Sequence, residues 1–217
     1  MNRRTKHEGG GCRLPQSGER KTRYESREFW DERYANDPVL GSGIGSRGEW
    51  ARRKGEVIGR TIREIQPESI LDVGCGDRAI FEGVDLARNL RYVGIDVSQV
   101  ITEKNKTLWP QYTFIAGSCC EVLGMGISGD LVLCLDVLIH EPNERGFRDS
   151  IRDLWEATRS TLVVSGYEAP PSGPFASEIT FYHIPLSQVL FELGSFHPIP
   201  LLDYRATTLW RIDKNRP

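Results

Sequence analysis

Ile70-Leu-Asp-Val-Gly-Cys-Gly-Asp77 is an apolar run that ends in Gly-x-Gly. The run predicts a strand over 69–74, and the turn after it predicts a helix beginning near Arg78. Glycines at 74 and 76 let the backbone approach a ligand with no Cβ in the way, and open α/β sheets bind ligands beyond the carboxyl ends of their strands. Gly74-x-Gly76-x-x-Ala79 also satisfies the G-x-G-x-x-G/A pattern of dinucleotide sites. Asp72 argues otherwise: a pyrophosphate gains nothing from a carboxylate just before the first glycine, whereas an ammonium group gains an ion pair. The chain also lacks the Tyr-x-x-x-Lys pair of a single-domain dehydrogenase and has no room for a separate catalytic domain.

Outward from that turn the sequence alternates strand and helix signals. Strands are predicted over 91–97, 112–117, 130–136 and 161–167, with helices over 99–108 and 143–159. Alternation at this spacing implies right-handed βαβ units and a parallel, doubly wound sheet. The C-terminal part departs from it: a helix over 185–193 precedes strands over 199–204 and 207–212. Only Arg205-Ala206 separates those strands, which forces an antiparallel hairpin. A five-stranded parallel sheet closed by an antiparallel pair is absent from most nucleotide-binding folds.

Asp96 ends the second strand, 20 residues past Gly76, where a carboxylate can accept both hydroxyls of a ribose. Leu71-Asp-Val-Gly-Cys-Gly76, Gly94-Ile-Asp-Val-Ser98 and Asp130-Leu-Val-Leu-Cys-Leu-Asp-Val-Leu-Ile-His140 resemble successive motifs of the class I S-adenosylmethionine-dependent methyltransferases. The resemblance spans roughly residues 28–213. It implies an α/β, Rossmann-like fold: a seven-stranded, mostly parallel sheet with a C-terminal antiparallel pair and helices on both faces. It also implies S-adenosylmethionine over the first, second and fourth strands, with S-adenosylhomocysteine as product. Asp72 and the turn Gly74-Cys75-Gly76 would hold the methionine part, Asp96 the ribose, Val97 would flank the adenine, and Gly117, Ser118 and Cys119 would lie at its edge. Two positions depart from the family. Arg78 stands where many members have a third glycine, and Ser118 where many have an acidic residue.

Candidates for the chemistry lie at the same end of the sheet. The fourth strand delivers Asp136, counted with both the cofactor and the catalytic groups, and then His140-Glu141. His140 is the first choice of general base, because imidazole titrates near neutral pH. Tyr167-Glu168 and Tyr182-His183 form a second cluster around a Pro-rich loop, Pro170 to Pro174, whose neighbours Phe175 and Phe181 add aromatic surface. His183 is the alternative base, and Tyr167, Tyr182 and His183 are expected against the substrate.

N-terminal to the first strand, Phe29, Trp30 and Tyr34 have helical spacing up to Pro38, and a glycine-rich loop follows from Gly41 to Gly48. The next helix, about 49–65, turns Trp50, Val57, Ile58, Ile62 and Ile65 to one face, with Arg52, Lys54, Glu56 and Arg63 elsewhere. Residues 26–65 therefore read as a helical lid with glycine hinges, from which Arg47, Arg52 or Arg53 would meet the methionine carboxylate. Residues 1–23 are basic and almost devoid of large apolar side chains, and read as a disordered tail before one methyltransferase domain over 24–217.

The totals bound the function. The 217 residues suffice for one domain. A net charge of −2 and a pI near 6.1 disfavour nucleic acid, and no appended RNA module is visible. Cys12, Cys75, Cys119, Cys120 and Cys134 form no CxxC pair, and with only four histidines a zinc site is not expected. Reduced thiols, no apolar leader and no spanning segment together predict a soluble, cytoplasmic enzyme. The expected partner is a small molecule methylated at O or N. The alternatives are a non-catalytic methyltransferase-like scaffold and an NAD(P)-binding enzyme.

Overall fold

The computed structural model describes residues 26–37, 39–173, 177–194 and 196–214. The expected tail over 1–23, Cys12, Pro38, Pro174 and Phe175 lie outside them.

Seven strands form one sheet: β1 (Ser69–Val73), β2 (Arg91–Asp96), β3 (Thr113–Ala116), β4 (Gly129–Cys134), β5 (Thr158–Tyr167), β6 (Ile199–Tyr204) and β7 (Thr207–Asp213). Their order is β3-β2-β1-β4-β5-β7-β6. Pairs among β1 to β5 are parallel, and β7 is antiparallel to both β5 and β6. The order reverses between β1 and β4, and a crevice opens at that switch point.

Alternate residues of the central strands feed two cores. Leu71, Val132, Cys134, Leu162 and Val164 face α4 (Glu144–Ala157) and α5 (Leu186–Glu192), packing with Ile151, Leu154, Leu186 and Leu190. Ile70, Leu131, Leu133 and Val163 face the other way, against Val57 and Ile58 of α2 (Gly48–Ile65). On the flank, α1 (Ser26–Asn36) packs on α3 (Gln99–Leu108). The Asp31 carboxylate accepts from Ser98 Oγ at 2.6 Å and from Val100 N–H at 3.1 Å, so α1 helps to cap α3.

Two expectations are corrected. No α-helix begins near Arg78; a 3-10 turn, Ala79–Phe81, stands there instead. Arg78 itself is left-handed (φ 60°), a conformation that cannot continue into an α-helix. The face such a helix would cover is already occupied by α2, whose Val57 and Ile58 share a core with Ile80 and Phe81. The fourth strand stops at Cys134 rather than at Asp136, because Asp136 is left-handed too (φ 61°).

Arg78 neither crowds the glycine turn nor points to solvent. Its guanidinium lies 4.4–5.1 Å from the ring centres of Tyr92, Trp109, Tyr112 and Phe81, an aromatic box that replaces its hydration shell. The planar guanidinium can stack on these rings as an ammonium cannot. Arg78→Lys is therefore expected to lower stability by about 1–2 kcal/mol although charge is kept. Urea unfolding checks this as a lower midpoint at unchanged slope.

Candidate active site

Two cavities meet at the carboxyl ends of β1 and β4. The first, of about 180 Å³, is lined by Val73, Gly74, Asp96, Val97, Gly117, Ser118 and Cys119. Gly74 is left-handed (φ 75°), and a Cβ there would stand 2.0 Å from Val137 Cγ2, so only glycine fits. The turn is rigid: Gly74 and Cys75 N–H groups both donate to Ile95 O (2.7 and 3.0 Å), and Gly76 N–H donates to Asp96 Oδ2 (2.9 Å). The other Asp96 oxygen accepts from Ser98 N–H at 2.9 Å. Burial raises the Asp96 pKa to about 6, with the Ser98 and Gly76 hydrogen bonds opposing the rise.

Asp72 borders a small recess behind the same turn, together with Ser42, Gly74, Cys75 and Gly76. Tyr92 donates to it at 2.6 Å. Burial lifts its pKa to about 6, against the Tyr92 hydrogen bond and the charge of Arg78. Ser118 has its carboxylate close by after all. Its N–H and hydroxyl donate to Glu121 Oε2 at 2.7 and 2.8 Å, and these bonds hold the Glu121 pKa below its usual value. The acid expected at 118 stands three residues later, a placement readable from Ser-x-x-Glu as a capping box.

The N-terminal segment lines this cavity with Trp30, Tyr34, Ser42 and Ser46. Tyr34 and Ser42 hydroxyls are 3.0 Å apart, Ser42 donates to Asp77 Oδ1 at 3.0 Å, and Asp77 N–H donates back to Ser42 at 3.1 Å. Arg47 is ion-paired with the same Asp77 and also donates to Val39 O at 2.9 Å. It lines neither of the two cavities.

Lys54 is the residue that helical periodicity misplaces. Its side chain is fully buried, and its ammonium lies 2.7 Å from Asp136 Oδ2. Asp136 Oδ1 accepts from the Tyr204 hydroxyl, which lies 2.9 Å from Ser165 Oγ; Asp136 N–H donates to Ser165 Oγ at 2.8 Å. Burial works against the Asp136 carboxylate, but the Lys54 charge and the Lys54 and Tyr204 hydrogen bonds outweigh it and hold its pKa below the ordinary carboxylate range.

The second cavity, of about 360 Å³, lies beyond Asp136 and is lined among others by Phe29, Trp30, Arg33, Tyr167, Tyr204 and Arg205. Trp30, Ser42, Asp136 and His140 line both cavities and form the wall where they meet. His140 Nδ1 lies 2.6 Å from Ile179 O. A carbonyl only accepts, so Nδ1 carries the proton and Nε2 is the basic nitrogen of the neutral ring. Burial lowers the His140 pKa, partly offset by the Ile179 hydrogen bond and the Asp136 charge, while Arg33 lowers it further.

Among the expected substrate groups, Tyr167 lines this cavity, but Tyr182 and His183 line neither. His183 Nε2 donates to Glu141 O at 2.9 Å and its ring packs on Phe147. Glu168 accepts from Trp210 Nε1 at 2.8 Å and from the Ser187 N–H at 3.1 Å, which anchors α5 instead of a substrate. Trp30 and Arg33 line the second cavity, and Tyr182 and His183 do not. Among the described residues no group of His, Cys, Asp and Glu is placed to hold a metal, and no helix is long and apolar enough to cross a membrane.

The strand order, the antiparallel closure and the crevice over β1, β2 and β4 define the Rossmann-like fold of the class I S-adenosylmethionine-dependent methyltransferases. No protein-family model matches the sequence, and no curated protein does. Solved structures match the fold. The N-methyltransferase NodS from Bradyrhizobium japonicum WM9, in complex with S-adenosylhomocysteine, superposes with a TM-score of 0.64 at 15% identity over 88% of this chain and 98% of that one. Magnesium protoporphyrin IX methyltransferase from Synechocystis PCC 6803 with bound S-adenosylmethionine gives 0.60 at 17% identity, covering 87% and 95%. The 1,6-didemethyltoxoflavin-N1-methyltransferase of Burkholderia thailandensis gives 0.59 at 14% identity, covering 88% and 87%.

Removing one partner of a buried ion pair leaves an uncompensated charge, at a cost of about 3–5 kcal/mol. Lys54→Met is expected to lose about that much in urea unfolding, and Lys54→Met/Asp136→Asn distinctly less than the sum of the single changes. Because the Asp136 pKa is lowered on folding, its contribution is full above the unfolded carboxylate value and disappears as pH falls through the folded one. The stability gap between wild type and Asp136→Asn should close accordingly on acidification.

Proposed function

We propose that this protein is a methyltransferase that uses S-adenosylmethionine to methylate an oxygen or nitrogen of a small molecule. The observation that carries the reading is the meeting of two separate cavities at Asp136 and His140, one built on the glycine turn and Asp96, the other on aromatic side chains. The first fits the cofactor chemically. Asp96 keeps unused lone pairs for ribose hydroxyls, Asp72 in the neighbouring recess offers a carboxylate for an ammonium, and Val97 with Gly117–Cys119 gives a wall for a purine. When bound, S-adenosylmethionine supplies an electrophilic methyl on sulfur; an acceptor lone pair forms the new bond and the S–CH₃ electrons remain on sulfur.

The chain's own residues do the rest. Trp30 and Ser42 line both cavities and set one against the other, and alignment is a large part of the rate of an in-line displacement. His140 Nε2 takes the proton of the acceptor O–H or N–H. Asp136, whose ionised form Lys54 favours, stabilises the imidazolium that results. The dinucleotide alternative is disfavoured by the turn itself. The Gly74, Cys75 and Gly76 amides are committed to Ile95 O and Asp96, away from any pyrophosphate.

S-adenosylhomocysteine at about 100 times its dissociation constant should stabilise the fold by about 2.7 kcal/mol, several degrees in thermal unfolding. Asp96→Ala should abolish the shift, and NAD should produce none; a shift with NAD alone would sink the reading. With an acceptor found by screening for S-adenosylhomocysteine release, His140→Gln should lower kcat by about 10²–10⁴ while cofactor binding persists. The base acts in its neutral form and its pKa is lowered, so the acidic limb of the wild-type rate profile should lie below about pH 6.5. A limb unchanged in His140→Gln would remove His140 from the step.

A further inference from the structure

Arg33 and Arg205 stand on the wall of the second cavity, whose Asp136 is already paired with Lys54. Arg33 is the informative group. Its guanidinium lies 5.4 Å from the Trp30 ring centre and 5.7 Å from that of Phe29, and its Nε is buried with no hydrogen-bond partner. Among the described residues no carboxylate forms an ion pair with it. Its charge nonetheless reaches His140, whose pKa it depresses. A guanidinium held on two rings, close to the base and with no carboxylate partner among the described residues, is placed to pair with the carboxylate of a ligand.

Resting on the methyltransferase reading, we propose that the methyl acceptor is an aromatic acid, whose carboxylate pairs with Arg33 and whose ring lies among Phe29, Trp30 and Tyr167. Arg33 is then the specificity-determining residue: it selects an anionic acceptor. The two roles are coupled. A carboxylate on Arg33 screens the charge that depresses His140, so the acceptor that fits the cavity also makes the base stronger. A cationic amine would meet the like charge of Arg33, and like-charge contact in a partly desolvated cavity is strongly disfavoured.

The test is calorimetric titration of the full chain, saturated with S-adenosylhomocysteine, with three probes of one shape: 2-naphthoate, 2-naphthamide and 2-naphthylmethylammonium. The expected result is naphthoate at least tenfold tighter than the amide, and the ammonium weakest. Arg33→Met should erase the preference and Arg33→Lys retain part of it, both with unchanged affinity for S-adenosylhomocysteine, which shows that the lid has kept its form. Amide or ammonium binding as tightly as naphthoate, no naphthoate binding, or an acid preference that survives Arg33→Met would each overturn the proposal while leaving the methyltransferase reading intact. Failure of S-adenosylhomocysteine itself to bind wild type would instead overturn that reading.

Discussion

A fully buried ammonium has to be answered by a carboxylate, and the Lys54–Asp136 pair is where this molecule is tied together. Lys54 comes from α2, packed on one face of the sheet, and Asp136 from the turn after β4, so the pair joins the N-terminal segment to the centre of the sheet. It also explains the backbone there. The left-handed Asp136 ends β4 early and brings its N–H to Ser165 and its carboxylate to Tyr204 as well as to Lys54. Gly45 of the lid loop is close-packed against the same carboxylate, where a Cβ would come within 2.5 Å of it. Take away the ammonium, and a charge would be stranded at the junction of both cavities.

With that junction fixed, a division of labour follows. On one side the walls are backbone and short side chains, shaped by glycine and by Asp96; on the other they are aromatic rings and guanidinium groups from α1 and the β6–β7 turn. On the proposed reading, the strand ends hold the cofactor and the segment before the sheet selects the acceptor. Arg47 and Ser42 stay with the lid, clasping Asp77.

The sheet was legible in the sequence because its strands are short apolar runs with glycine and aspartate at their ends, and Ile70–Asp77 alone oriented the rest. The position of Asp96 was legible because a second apolar run ends on it, although the connection from the glycine turn holds a 3-10 turn and no α-helix. Lys54 was not, since a lysine off the apolar stripe of a helix reads as solvated unless its partner, 82 residues away, is already known to lie against it. Arg78 misled for a similar reason: the four rings around it come from three segments and carry no local pattern. His183 and Glu168 looked chemical because they follow strand β5 in sequence, yet backbone carbonyls and helix α5 claim them. Burial and partners decided these cases, and neither is a property of spacing.

The Asp31 contact has a kinetic side. One carboxylate on α1 accepts the Val100 N–H at the start of α3, a helix that belongs to the rigid layer of the sheet. While α1 is seated, that amide is protected by a partner 69 positions earlier in the chain rather than by its own helix. Were α1 to lift, deuterium would gain access to that amide, so a single proton on α3 would report on the seating of α1.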